Sequence, residues 1–170
     1  MKKSIIGFLV LALPGLSVWG EPGAGVGTTL FAQGHSRLSL TGGYGSVNSK
    51  GYGVLGLGAG YYLLDGLEAG VDGEAWVGSK PHIYTVSPEV RYVLAQMEYK
   101  PYIGGFFKRT FYDTLTNLNS AGGRAGILTP LGERSYLTAG LVYEKFFNCN
   151  SATYGSCEQT YPEIGFSFTY

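Results

Sequence analysis

Gln159-Thr160-Tyr161-Pro162-Glu163-Ile164-Gly165-Phe166-Ser167-Phe168-Thr169-Tyr170 alternates two kinds of side chain. Pro162, Ile164, Phe166, Phe168 and Tyr170 fall on one face, and Tyr161, Glu163, Gly165, Ser167 and Thr169 on the other. Successive side chains of a strand point to opposite faces, so this is a strand with one apolar face and one small or polar face. A row of that kind is buried either in a protein core or in lipid. The segments ahead of it decide for lipid.

Similar alternation recurs at Arg37 to Gly45, Gly51 to Leu63, Leu67 to Gly78, Ile83 to Leu94, Lys100 to Tyr112, Ala121 to Leu128 and Ser135 to Phe147, which makes eight strands with the last. Leu64-Asp65-Gly66, Ala95 to Tyr99 and Pro130 to Arg134 have the chemistry of tight hairpin turns. Ser46 to Lys50, Ser79 to His82, Asp113 to Ser120 and Asn148 to Glu158 are polar and on average longer. Short turns at one end and longer loops at the other are the pattern of an outer-membrane barrel, the short side being periplasmic.

The two faces differ in kind. Leu67, Ala69, Val71, Ala75 and Val77 share one side of the third strand, with Glu68, Asp72, Glu74 and Trp76 on the other. The fourth sets Tyr84, Val86, Val90 and Tyr92 against Thr85, Ser87, Glu89 and Arg91, and the seventh sets Leu137, Ala139, Leu141 and Tyr143 against Tyr136, Thr138 and Glu144. A dry core cannot hold the charged set, because each unpaired buried charge costs several kcal/mol. A closed barrel in lipid gives each face its proper solvent and leaves no backbone edge unpaired. The expected fold is therefore all-β: an eight-stranded antiparallel, up-and-down transmembrane barrel with short periplasmic turns and longer extracellular loops.

Gly56, Gly58 and Gly60 in the second strand and Gly104 and Gly105 in the fifth would leave room for bulky neighbours and permit the curvature of a small barrel. Aromatics cluster near strand ends, Tyr61, Tyr62, Tyr92, Tyr99 and Tyr102 on the short-turn side and Tyr52, Phe111, Tyr112, Phe146 and Phe147 on the other. They are expected to form two interfacial girdles.

The start of the chain gives an address. Lys2 and Lys3 precede the apolar run Ile5 to Leu13, then Pro14-Gly15 and a cleavage site at Val18-Trp19-Gly20. This is the layout of a secretory signal peptide, and the run is too short to span a membrane. Residues 1–20 are thus expected to be the signal peptide, 21–35 a glycine-rich lead, and 36–170 the barrel. The lead could be disordered, extend the first strand, or fold into the lumen. Roughly 150 mature residues suffice for one domain with a real core. Charged residues are 14% of the chain and the net charge is zero, so nothing points to nucleic acid. Cys149 and Cys157 bracket the last outer loop, and in an exported chain two cysteines suggest one disulfide.

The signal peptide, Gly58-Ala59-Gly60-Tyr61-Tyr62-Leu63-Leu64-Asp65-Gly66-Leu67-Glu68, Lys100-Pro101-Tyr102-Ile103-Gly104-Gly105 and Phe166-Ser167-Phe168-Thr169-Tyr170 resemble the small outer-membrane β-barrel superfamily of OmpA, OmpX and opacity-like surface proteins. The resemblance covers nearly the whole mature chain. It implies an outer-membrane location with both termini periplasmic, contact with outer-membrane lipid and lipopolysaccharide, and insertion by the barrel assembly machinery. It further implies that Phe166, Phe168 and Tyr170 form the assembly signal, with Tyr170 standing where the family usually has Phe.

An eight-stranded interior is only wide enough for side chains. Arg37, Arg91, Lys100, Lys108 and Arg124 are expected to meet Glu68, Asp72, Glu74, Glu89, Glu144 and Glu163 in an ion-pair network that plugs the lumen. No catalytic, cofactor or metal residues are expected. His35 and His82 are the two histidines, and His35-Ser36 lacks the spacing of a lipid A deacylase. The functional expectation is a non-enzymatic structural or surface-interaction barrel serving envelope integrity, adhesion or partner binding. A narrow OmpW-like channel for small or apolar solutes is the alternative, favoured by the open row Gly56, Gly58, Gly60. A lipid-modifying enzyme, with His82 as base, and a barrel subunit of a larger complex complete the set.

Overall fold

Alternation at this period dictates a pleated ladder, and the described residues build one without a helix. The computed structural model describes residues 30–47, 50–78, 82–113, 116–150 and 156–170. Within them run β1 (Ser36–Val47), β2 (Lys50–Leu64), β3 (Leu67–Val77), β4 (Ile83–Val93), β5 (Lys100–Tyr112), β6 (Leu118–Pro130), β7 (Ser135–Phe147) and β8 (Glu158–Thr169). Each strand pairs antiparallel with the next, and β1 closes on β8 from Arg37↔Thr169 to Gly42↔Ile164. Over this stretch closure satisfies the facing backbone of the first and last strands, which an open sheet in hydrocarbon could not do.

The ladder runs further than the apolar pattern. β6 starts at Leu118 and ends at Pro130, and β1 and β2 reach Val47 and Lys50, so residues 48–49 alone join them. Backbone pairing needs no apolar side chain, so strands continue past the band where alternation is visible. The remaining connections are residues 65–66, 94–99 and 131–134 at the short-turn end and 78–82, 113–117 and 148–157 at the long-loop end. Gly66 adopts a φ of +79° in the Asp65–Gly66 turn, the left-handed geometry that two-residue hairpins require.

Side chains divide by parity. Leu40, Leu55, Leu57, Ile103, Leu141 and Ile164 point outward and are more than half exposed to solvent, while Arg37, Glu68, Ser87, Lys108 and Glu144 point inward and are buried. A wall of this composition is matched to hydrocarbon and poorly matched to water. The girdles need correction on the same ground. Tyr61, Tyr92, Tyr99, Phe111 and Phe147 face outward as expected, but Tyr62, Tyr102 and Tyr52 are buried in the lumen, and Tyr112 and Phe146 line a pocket inside its long-loop mouth. Adjacent residues of a strand cannot share a face, so one of Tyr61 and Tyr62 had to turn inward.

Of the three fates considered for the lead, its described part takes the last. Leu30 and Phe31 are fully buried inside the short-turn mouth with Tyr62, Val93, Tyr102, Leu128 and Tyr136. Three backbone bonds tie the segment to the rim, Gly66 N to Phe31 O at 2.8 Å, Gly34 N to Tyr62 O at 2.9 Å and Tyr62 N to His35 O at 2.9 Å, while His35 N to Ala32 O at 3.3 Å closes a turn within it. Asp65 Oδ1 accepts a further bond from Gln33 N at 2.8 Å. The expected signal peptide and residues 21–29 lie outside the described residues.

Candidate functional site

The lumen is filled in three layers. At the short-turn end Phe31 packs against Tyr62 and Tyr136, with ring centroids 5.9 and 5.2 Å away. Lys100 is buried at the same end, but it is not in the ion-pair network. Its Nζ donates to the carbonyls of Ala95 (2.8 Å) and Met97 (3.4 Å), so it braces the turn that the chain has just left. Lys100 opens β5, and from there its side chain reaches the carbonyls of residues 94–99 before any carboxylate.

The middle layer gathers Arg37 of β1, Glu68 and Asp72 of β3, Glu89 and Arg91 of β4, Arg124 of β6 and Glu163 of β8. Arg37 pairs with Glu68, with Glu89 at 2.7 Å and with Asp72 at 3.5 Å. Arg124 reaches Glu89 at 3.1 Å, Asp72 at 3.3 Å and Glu163 at 3.5 Å, and Arg91 meets Glu89 at 3.1 Å. Tyr102 Oη adds a hydrogen bond to Glu163 Oε1 at 2.7 Å. Charges this deep persist only in such mutual company.

The upper layer centres on Lys108 of β5, whose Nζ lies 3.2 Å from Glu144 Oε2 and 3.7 Å from Glu74 Oε2. Glu144 also accepts from Ser120 Oγ at 2.5 Å, Gln159 Nε2 at 3.1 Å and Tyr161 Oη at 3.3 Å. Glu74 accepts from Thr85 Oγ1 at 3.2 Å and Trp76 Nε1 at 3.3 Å. Phe106 separates the two charged layers, with Arg124 5.1 Å and Lys108 5.2 Å from its ring centroid. Above Lys108 a small pocket open to solvent is lined by Trp76, Thr85, Glu144, Phe146 and Gln159.

The sequence-derived set thus comes together except for Lys100, though as two clusters and not one. Phe106, Tyr102, Tyr161, Ser120 and the Leu30–Phe31 stopper escaped sequence reasoning. Parity alone puts Phe106 and Tyr102 inside with Lys100 and Lys108, but an aromatic is by habit assigned to the lipid side.

The glycine row is also not open. A Cβ on Gly58 or Gly60 would fall on the carboxylate of Asp72 or Glu68, and one on Gly56 would lie 2.5 Å from Thr41 Oγ1. At Gly58 and Gly60 the row seats carboxylates from β3, which is its bulky-neighbour role.

Cys149 and Cys157 form a disulfide across the last loop. Of its tip, Asn150 is described, while Ser151 and Tyr154 lie outside the described residues, as do Ser79, Lys80 and Pro81 beside His82. His35 and His82 stand at opposite ends of the barrel. Phe166 and Phe168 meet edge to face, 4.7 Å between centroids, on the outward face of β8.

No protein-family model matches the chain, and no curated protein does. Solved structures do. The N-terminal β-barrel domain of Pseudomonas aeruginosa OprF superposes with a TM-score of 0.66 at 16% identity, over 81% of this chain and 98% of that one. Neisserial surface protein A (NspA) gives a TM-score of 0.57 at 17% identity, over 79% and 94%. With so little sequence in common, what is shared is the architecture: the chain has the fold of the small eight-stranded outer-membrane barrels.

Proposed function

We propose that the chain is an integral protein of the bacterial outer membrane, inserted by the barrel assembly machinery through its last strand, with both termini in the periplasm. In this reading it is a closed, non-enzymatic barrel that supports the envelope and presents its disulfide-bonded loop at the cell surface. The observation that carries the reading is the lumen, spanned at its middle by ion pairs among five strands and stoppered by Leu30 and Phe31. Reconstituted into planar bilayers, the protein should give no steady current; a stable open conductance from the unmodified chain would overturn the reading. Unaltered lipid A mass spectra on expression are expected from a barrel without enzymatic activity, and purification from native membranes would reveal a stoichiometric partner if the barrel serves a larger complex.

One observation favours the alternative, passage of a small or apolar solute through the wall. Pairing of β1 with β8 stops at Gly42↔Ile164 although β1 runs on to Val47 and β8 begins at Glu158. Pro162, which lacks a backbone donor, lies in this unzipped stretch, and Gln159 of the same stretch lines the pocket. Solute uptake by proteoliposomes that is abolished by cross-linking Tyr44→Cys to Pro162→Cys would decide for this route.

A further inference from the structure

On the outward face of the strands, three described side chains carry charge: Arg109 of β5, Lys145 of β7 and Glu158 at the start of β8. Glu158 lies opposite Lys145 in register and accepts a hydrogen bond from Tyr143 Oη at 2.6 Å. Neither Arg109 nor Lys145 makes an ion pair with a described residue. Arg109 lies over the ring of Phe111, 5.6 Å from its centroid. A cation on the lipid face costs roughly 2–4 kcal/mol at mid-bilayer and close to nothing at the interface. Both cations sit near the long-loop ends of their strands, which finish at Tyr112 and Phe147, at the level of headgroups.

The wall around them is shaped. Register aligns Arg109 with Asn119 and Phe147, and Phe107 with Ala121 and Lys145. Across the small residues of β6 the rings of Phe107 and Phe147 stack at 6.3 Å and 22°, making a shelf between the two cations. Next to it, toward the barrel's waist, Gly105 and Gly123 pair directly, flanked by Val90 and Tyr143. A Cβ at Gly105 would meet Gly122 O at 3.8 Å and one at Gly123 would meet Gly104 O at 3.5 Å, both ordinary contacts. The fold has no steric need of glycine at either place, and glycine weakens a strand. What the pair provides is a shallow outward depression beneath two positive charges, Arg109 with Val86 and Asn119 beside it in register and Lys145 with Glu158 opposite.

We infer that this wall holds a phosphorylated lipid of the bilayer, its phosphate between Arg109 and Lys145 and an acyl chain over Gly105 and Gly123. The inference rests on the membrane reading above. The full chain in detergent micelles, probed by native mass spectrometry, should retain dioleoyl phosphatidic acid roughly tenfold more tightly than dioleoyl phosphatidylcholine, as two interfacial cations allow. The double substitution Arg109→Gln with Lys145→Gln should abolish that preference, and Gly123→Leu should weaken retention of both lipids. Arg134→Gln, at the opposite end, should leave both unchanged. Heat-modifiable gel mobility reports whether each variant remains a closed barrel. No preference in the unmodified protein, a preference that survives the double substitution, or full retention by Gly123→Leu would each overturn the site. Release of the unmodified protein from vesicles by alkaline carbonate would overturn the membrane reading itself, which is a separable result.

Discussion

Arg124 answers to carboxylates on three different strands, Asp72 on β3, Glu89 on β4 and Glu163 on β8, all within 3.5 Å. Lys100, equally buried, bonds to carbonyls of a single turn. Removing one member of a buried ionic cluster strands its partners, which costs roughly 3–5 kcal/mol. Arg124→Met should therefore lower barrel stability by that order in urea-dependent unfolding followed by tryptophan fluorescence, and Lys100→Met by about 1–2 kcal/mol, the size of lost charge-assisted hydrogen bonds. Equal losses would contradict the division drawn between the two. At this scale parity made the inward set legible from Glu68, Asp72, Glu89 and Arg91. Pairing was not legible, because which carboxylate faces Arg124 depends on the stagger between strands two or three apart in the barrel, which no local pattern encodes. Lys100 was misplaced for a related reason: its inward parity was visible, but not its height at the very mouth.

Among elements, the glycines of β6 differ in what they permit. A Cβ on Gly126 would run into Ala139 O and lie 2.6 Å from Gly140 Cα, all backbone of β7, whereas at Gly123 the nearest atom is 3.5 Å away. Gly126→Ala should cost roughly 1–3 kcal/mol, the range for forcing extra volume into a packed site, while Gly123→Ala should leave the unfolding midpoint in place. Matching midpoints for the two would show that β6 and β7 do not approach as closely as described. Strand existence was readable everywhere, since each segment alternates over most of its length. Strand ends were not, as β6 illustrates: Leu118-Asn119-Ser120 carries no apolar rhythm yet continues the ladder with Lys108, Arg109 and Thr110.

For the molecule as a whole, two independent closures block the same passage: the stopper of Leu30 and Phe31, and the arginine layer above it. Phe31→Ala removes a ring that touches Tyr62 and Tyr136 and should destabilise by roughly 3–5 kcal/mol. It should still yield no steady current in planar bilayers, because the arginine layer remains. Combined with Arg124→Met, it should produce measurable conductance; continued silence would mean that the remaining side chains fill the bore unaided. The stopper was the part of the architecture least visible beforehand. Leu30 and Phe31 show no periodicity, and only the closed rim of Gly66, Tyr62 and His35 creates the place they occupy.

That rim is stitched by Ser36 and Tyr170, whose amides and carbonyls exchange two bonds of 2.9 and 3.1 Å. The first and last residues of the barrel are thus neighbours, and no seven-stranded precursor has a satisfied backbone. A copy lacking residues 164–170 would keep most of the buried charges and most of the greasy wall, yet it would leave a bare strand edge open to pairing with other chains. The presence of a whole last strand is in this way converted into a physical test: a barrel missing half of it remains a sticky sheet, and only one that carries it all becomes a ring.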